Sequence, residues 1–147
     1  MKRWAVLSRD KTCRFVLGRG VDELPHGYRT VLFVLNNPSI ADAEIDDATV
    51  LKCWRYTLAW DYHRMIFVNC NPWRATDPSL AQIPRQSLLE KNDEHVDRQA
   101  TLADLIVCAW GGNADLFLSR RATALLVATK KPLYLKGNLT PQIWRPT

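Results

Sequence analysis

Four apolar runs, each ending in a short loop of Asn, Gly and Pro, constrain this chain more than any other feature. They are Thr30–Leu35 (TVLFVL), Arg64–Cys70 (RMIFVNC), Asp104–Trp110 (DLIVCAW) and Pro132–Leu135 (PLYL). The apolar residues run on without alternating with polar ones. A strand reads this way when both of its faces are buried, which predicts a mostly parallel sheet covered by helices. Helical patterns lie between the runs. Ala48–Trp60 spaces Val50, Leu51, Trp54 and Leu58 along one face, with Asp46 or Asp47 able to cap its start. Ser87–Ala103 has helical propensity with a break allowed near Asn92, and Ala114–Lys130 is helical with Asn113 as candidate cap. Ahead of these, Trp4–Leu7 and Arg14–Leu17 flank a turn at Asp10-Lys11 and predict an N-terminal hairpin, followed by a loop over 18–28. The order β-α-β-α-β-α-β predicts a single α/β domain over 1–147: a three-layer α/β/α sandwich around a four-stranded, mostly parallel sheet, plus the hairpin.

At 147 residues the chain has the length of one domain. Its composition, 47% hydrophobic and 24% charged with six Trp, excludes a solvated tail. No run approaches the length of a membrane helix, and Met1-Lys2-Arg3-Trp4 is not followed by a signal-peptide core, so the expectation is a cytoplasmic protein without a membrane partner. The formal net charge is +5, concentrated in residues 1–30 and 71–147, while 31–70 is net acidic. Basic ends around a more acidic middle suit a polyanion-binding enzyme, and equally a solvated basic surface. Cys13, Cys53, Cys70 and Cys108 form no C-x-x-C pair, and His26, His63 and His95 are scattered, so neither a metal site nor a cofactor is expected. Cys53, Cys70 and Cys108 read as buried thiols.

No Walker A, G-x-G-x-x-G or G-x-S-x-G sequence occurs, which lowers the standing of nucleotide kinases, dinucleotide oxidoreductases and serine hydrolases. Amide chemistry is what remains. Asn36, Asn37, Asn69, Asn71 and Asn113 fall at predicted strand ends, where ligands bind in α/β sheets. An Asn side chain offers a donor and an acceptor, matching the edge of a nucleobase, and its carbonyl can orient a water. The competing reading of Asn37-Pro38 and Asn71-Pro72 is a turn. Asp46 and Asp47 serve either a polar shell around a water or sugar, or helix capping. Trp73 can stack on a base or enter the core, and Arg74 can pair with a phosphate or stand in solvent. Trp110, before Gly111-Gly112, reads first as core.

The ordered motifs Leu35-Asn36-Asn37-Pro38-Ser39-Ile40-Ala41-Asp42, Asp46-Asp47-Ala48-Thr49, Arg74-Ala75-Thr76-Asp77-Pro78 and Ala109-Trp110-Gly111 resemble those of a family of uncharacterised bacterial and phage proteins. That family shares the pattern L-N-P-S-x-A-D, D-D-x-T, R-A-T-D-P and W-G, and a role in phage–host conflict is implied by this resemblance alone. The same order resembles the mismatch-specific branch of the uracil-DNA glycosylase superfamily. There, a first strand ends in Gly-x-Asn-Pro, whose Asn positions the attacking water. Asn37-Pro38 takes that place here, with Leu35 where the superfamily has Gly. A second strand ends in an Asn that reads the flipped base, matched by Asn69, and a third ends in Leu-Trp-Gly, matched by Ala109-Trp110-Gly111. The superfamily's last motif is a His-Pro-Ser or Asn-Pro-Ser loop that enters the minor groove. The corresponding stretch here, Leu139 to Pro146, has no His and offers Trp144 or Ile143 as a wedge, with packing of the C-terminus the competing reading of Trp144.

The resemblance implies a DNA glycosylase-like hydrolase, monomeric by default and acting on DNA. Asn37, Asp46 and Asp47 are the expected catalytic residues. Asn36, Pro38, Ser39, Asn69, Trp73, Arg74, Trp110 and Asn113 would bind the substrate. Arg120, Arg121, Lys136, Trp144 and Arg145 would hold the DNA. Three readings stay open: excision of a modified or mismatched base, binding of modified DNA or nucleotides without turnover, and chemistry on small nucleotides.

Overall fold

In the computed structural model, residues 1–136 and 141–144 are described, with 135, 136 and 141–144 described as backbone only. The strands are β1 (Lys2–Leu7), β2 (Arg14–Gly20), β3 (Thr30–Leu35), β4 (Arg64–Asn69), β5 (Leu105–Cys108), β6 (Leu133–Lys136) and β7 (Pro141–Trp144). The helices are α1 (Ala48–Ala59), α2 (Gln86–Leu102) and α3 (Leu116–Ala128), with a short 3-10 turn at Pro78–Leu80. All seven strands form one sheet in the order β1-β2-β4-β3-β5-β6-β7. The four runs that dominate the sequence are its parallel centre, β4-β3-β5-β6.

The sheet is wider than expected, and it is mixed. The predicted hairpin is not an appendage, because β2 pairs antiparallel with β4 and extends the sheet, and β1 closes that edge. On the other side β7 pairs antiparallel with β6. Strand β2 also runs on through Gly20, where the sequence reads as loop from Gly18 onward. Gly18, Arg19 and Gly20 are all buried. Gly18 lies opposite Trp4, and a Cβ on it would sit 1.9 Å from the indole. The glycine is there to make room for a tryptophan ring. Gly18→Ala forces the ring out, and we expect a loss of about 2–3 kcal/mol in urea unfolding, as for an overpacked core. Unchanged stability would mean that β1 holds Trp4 elsewhere.

Side-chain alternation divides the core in two. Leu32, Val34, Ile66, Val68 and Ile106 meet Leu89, Val96 and Ala100 of α2 and Leu118, Ala122 and Leu126 of α3. Val31, Phe33, Met65, Phe67 and Val107 face the other way and meet Val50 and Cys53 of α1. Helices therefore cover both faces of the sheet, in three layers.

The helices follow the sequence reading to within two residues at their ends, with differences in capping and continuity. Asp47 caps α1, its side chain accepting from the Val50 N–H at 2.9 Å, as one of the two expected candidates. Helix α2 is unbroken at Asn92, because that side chain is buried and donates to the Asn69 carbonyl at 2.9 Å. Helix α3 starts two residues later than predicted and is capped by Asp115, which accepts from Leu118 N–H at 2.9 Å, leaving Asn113 exposed upstream. All four cysteines are buried and none is in a disulfide.

Candidate functional site

The carboxyl ends of β3 and β4 continue side by side into two loops. The N–H groups of Cys70, Asn71 and Ala75 donate to the carbonyls of Leu35, Asn36 and Pro38 at 2.9, 2.9 and 2.8 Å. The start of β2 completes the group. Arg14 N–H donates to Pro72 O at 2.9 Å, Arg74 N–H donates to Thr12 O at 2.9 Å, and Cys13 bridges to Trp73. Residues distant in sequence (12–14, 35–40 and 69–76) are thereby fixed at one end of the sheet, the end where α/β folds bind ligands.

Asn37 is held by its amide nitrogen. Nδ2 donates to the carbonyls of Pro38 at 3.1 Å and Ala75 at 3.0 Å, with Trp73 O at 3.4 Å. Three carbonyls around one atom require the NH2 there and turn Oδ1 away from them. Oδ1 accepts no hydrogen bond from the described residues. Asn71 instead serves the turn, with Oδ1 accepting from Trp73 N–H at 3.0 Å and Nδ2 donating to Gln82 O at 2.9 Å.

Asn69 differs from both. It is the last residue of β4, fully buried, in register with Leu35. Met65 and Phe67 precede it in the same phase, so it lies on the α1 side of the sheet. Neither its Nδ2 nor its Oδ1 has a hydrogen-bond partner, and Asn92 Oδ1 is likewise unpaired. Leaving such an atom buried and unpaired costs about 1–3 kcal/mol.

A cleft of about 280 Å³ opens beside these loops, lined by Lys11, Thr12, Ser39, Trp73, Arg74 and Thr76 among others. Arg74 spans its rim, with Nε donating to Ser39 O at 3.2 Å and Nη2 to Ile40 O at 3.1 Å. Ser39 Oγ donates to Thr76 Oγ1 at 3.3 Å. Trp73 is half-buried, lining the cleft with one part and packing on the α2 and α3 side of the core with another, as its core reading expected. Asn36 is half-buried and Pro38 buried in the same loop. Trp110 is half-buried against the core at the end of β5.

The carboxylates are engaged. Asp46 pairs with the wholly buried Arg19 at 2.7 Å and with Arg3 at 2.9 Å. The Arg3 hydrogen bond first, and the Arg19 contacts with it, hold the Asp46 carboxyl below the usual range. Asp47 is occupied by the α1 cap. Arg19 also donates to the carbonyls of Gly18, Asp42 and Ile45 at 2.8, 2.7 and 3.0 Å, tying the acidic segment to β2. Arg14 is buried as well, with Nη1 on Ala41 O at 2.9 Å and Nε unpaired, and burial brings its guanidinium down to about 10. Neither arginine was singled out in the sequence, because their burial depends on β2 lying inside the sheet.

The expected DNA-holding residues do not gather here. Arg120 is exposed on α3, and Arg121 on the same helix is paired with Asp93 at 2.7 Å. Lys136 ends β6 and Trp144 ends β7, so the stretch expected to enter a groove as a loop includes a strand, while Arg145 lies outside the described residues. Burial pushes the Cys70 and Cys108 thiols up to about 12, which removes them as nucleophiles. Among the described residues no group of three or more His, Cys, Asp or Glu could hold a metal ion, and no helix is long and apolar enough to cross a membrane.

Comparison with curated proteins finds no match. A family model described as Protein of unknown function (DUF1643) matches residues 14–140.

Proposed function

The chain belongs to the DUF1643 family, and on that premise we propose that it is a DNA glycosylase-like hydrolase, built on a uracil-DNA glycosylase-like fold, that excises a modified or mismatched base. The observation that carries this reading is the Asn69 amide, buried at the end of a central strand with donor and acceptor both unpaired. A donor and an acceptor side by side are what the edge of a nucleobase pairs with. In the loop that follows β3, the anchored Asn37 amide turns its carbonyl oxygen away from the backbone carbonyls that hold its NH2.

In this mechanism Asn37 Oδ1 accepts a hydrogen bond from the attacking water. The water oxygen bonds to the sugar C1′, the N-glycosidic bond breaks, its electron pair leaves with the base, and the base takes up the proton released by the water. Asn69 reads the base edge, Trp73 stacks in the cleft, and Arg74 holds a flanking phosphate. Asn37→Ala is expected to lower base release about 100-fold or more while leaving DNA affinity unchanged, measured by alkaline cleavage of abasic sites. Equal release by the variant overturns the role of Asn37.

One observation favours a second reading, a module that binds DNA without turnover. Asp46 and Asp47 are both spent on structure, which leaves neither free to support a water or a charged sugar. This reading expects salt-dependent binding with every base recovered intact.

A further inference from the structure

The turn between β1 and β2 separates two cavities, and cations line both. On one side is the cleft with Lys11 and Arg74. On the other is a cavity of about 370 Å³ with Arg9, Arg85 and Lys91 around an apolar floor of Leu7, Phe15 and Leu88. Arg9, Lys11, Arg85 and Lys91 are exposed, and none of the five cations is in an ion pair among the described residues.

One carboxylate, Asp10, lines this surface, exposed and outnumbered by the five cations. Its Oδ1 accepts from Ser8 Oγ at 2.8 Å, Thr12 N–H at 3.1 Å and Thr12 Oγ1 at 2.8 Å. Those bonds set the turn rigidly between the cavities. Glu90, on the first turns of α2, is bonded by Gln86 at 3.3 Å. The arrangement is a ridge with positive charge on both flanks, beginning at the cleft lined by Trp73 and Arg74. It differs from the α3 and C-terminal cations that the sequence suggested.

We infer that this ridge is the path of the DNA backbone, with successive phosphates held by Arg74 and Lys11 on the site side and by Arg9, Arg85 and Lys91 beyond it. The inference rests on the proposed base site for the identity of its partner. A polynucleotide suits it better than a lone anion, because the charge is spread over two cavities rather than converging on one point.

The test is fluorescence anisotropy of a labelled single-stranded oligonucleotide, and of its duplex, over a range of salt. Five phosphate contacts on a single strand give a slope of log K on log salt of about −3.5. The triple variant Arg9→Gln, Arg85→Gln, Lys91→Gln should flatten it by about 2. All three side chains are exposed, so the melting temperature should not move. The control variant Arg120→Gln, Lys130→Gln on or beside α3 should keep the wild-type slope. A triple variant with the wild-type slope, losses confined to the control variant, or equal binding of polyglutamate would each overturn the path. Base release is scored separately. DNA held through the ridge with no base released from any substrate sinks the excision reading alone, and base release with an unchanged slope in the triple variant sinks the path alone.

Discussion

Arg19→Ala should cost about 3–5 kcal/mol, the range for breaking a buried ion pair from one side. For a chain of this length that lowers the melting temperature by roughly 10 °C, read by circular dichroism. Arg19 has no solvent exposure and donates to Asp46 and to three carbonyls. Its removal leaves the Asp46 carboxylate half-buried with Arg3 as its remaining partner and releases the Asp42 and Ile45 carbonyls. The effect should also depend on pH. Asp46 has a folded-state pKa below its ordinary value, so its contribution is present above about pH 4 and is lost as pH falls through the folded value. With Arg19 gone, the acid-unfolding midpoint should move to higher pH. A loss under about 1 kcal/mol would mean that the segment from Asp42 to Asp47 is held by other contacts.

Asn69→Leu should act in the opposite sense on stability. Leucine has the same branching as asparagine and needs no hydrogen bonds. Asn69 is fully buried, its two polar side-chain atoms are unpaired, and Asn92 donates to its backbone carbonyl, which the substitution keeps. Relief of that cost, offset in part by the larger side chain, should stabilise the fold by about 2 kcal/mol and raise the melting temperature by roughly 4–8 °C. Affinity for base-bearing DNA should fall at the same time. Gain of stability with loss of binding is the mark of a residue kept for a ligand. A variant less stable than wild type by more than about 1 kcal/mol would show that the amide has a structural partner, and Asn69 would lose its reading role.

The central strands were legible because burial on both faces leaves a continuous apolar signature, which β3, β4 and β5 all carry. The width of the sheet was not. Gly18-Arg19-Gly20 has the composition of a loop, and it becomes strand because Trp4 fills the space over Gly18 and the acidic segment pairs Arg19. Asn92 breaks a helical pattern on paper, yet α2 runs through it unbroken, with its Nδ2 donating to Asn69 O. Asp115, and not the expected Asn113, caps α3, because the helix starts two residues later than its propensity pattern.

At the site, Asn37, Ser39, Trp73 and Arg74 were legible as strand-end residues and do meet. The contributions of Lys11 and Arg14 were not, since both reach the strand ends through the pairing of β2 with β4, and Arg19, opposite Met65 at the other end of that pairing, was hidden for the same reason. The carboxylates Asp46 and Asp47 show the converse. A cap and an ion pair explain their presence without any chemistry.

On the proposed function, the strand-end amides read a nucleobase so that its glycosidic bond can be cut. The most direct measurement is mass spectrometry of the small molecules released from DNA carrying uracil, mismatched thymine, or hydroxymethylated or glucosylated cytosine, with the strands then treated with alkali. One free base, an alkali-labile strand at its position, and loss of both in Asn37→Ala are the expected result. Intact DNA from every substrate would contradict it. Intact DNA still bound to the protein would leave the binding module in its place.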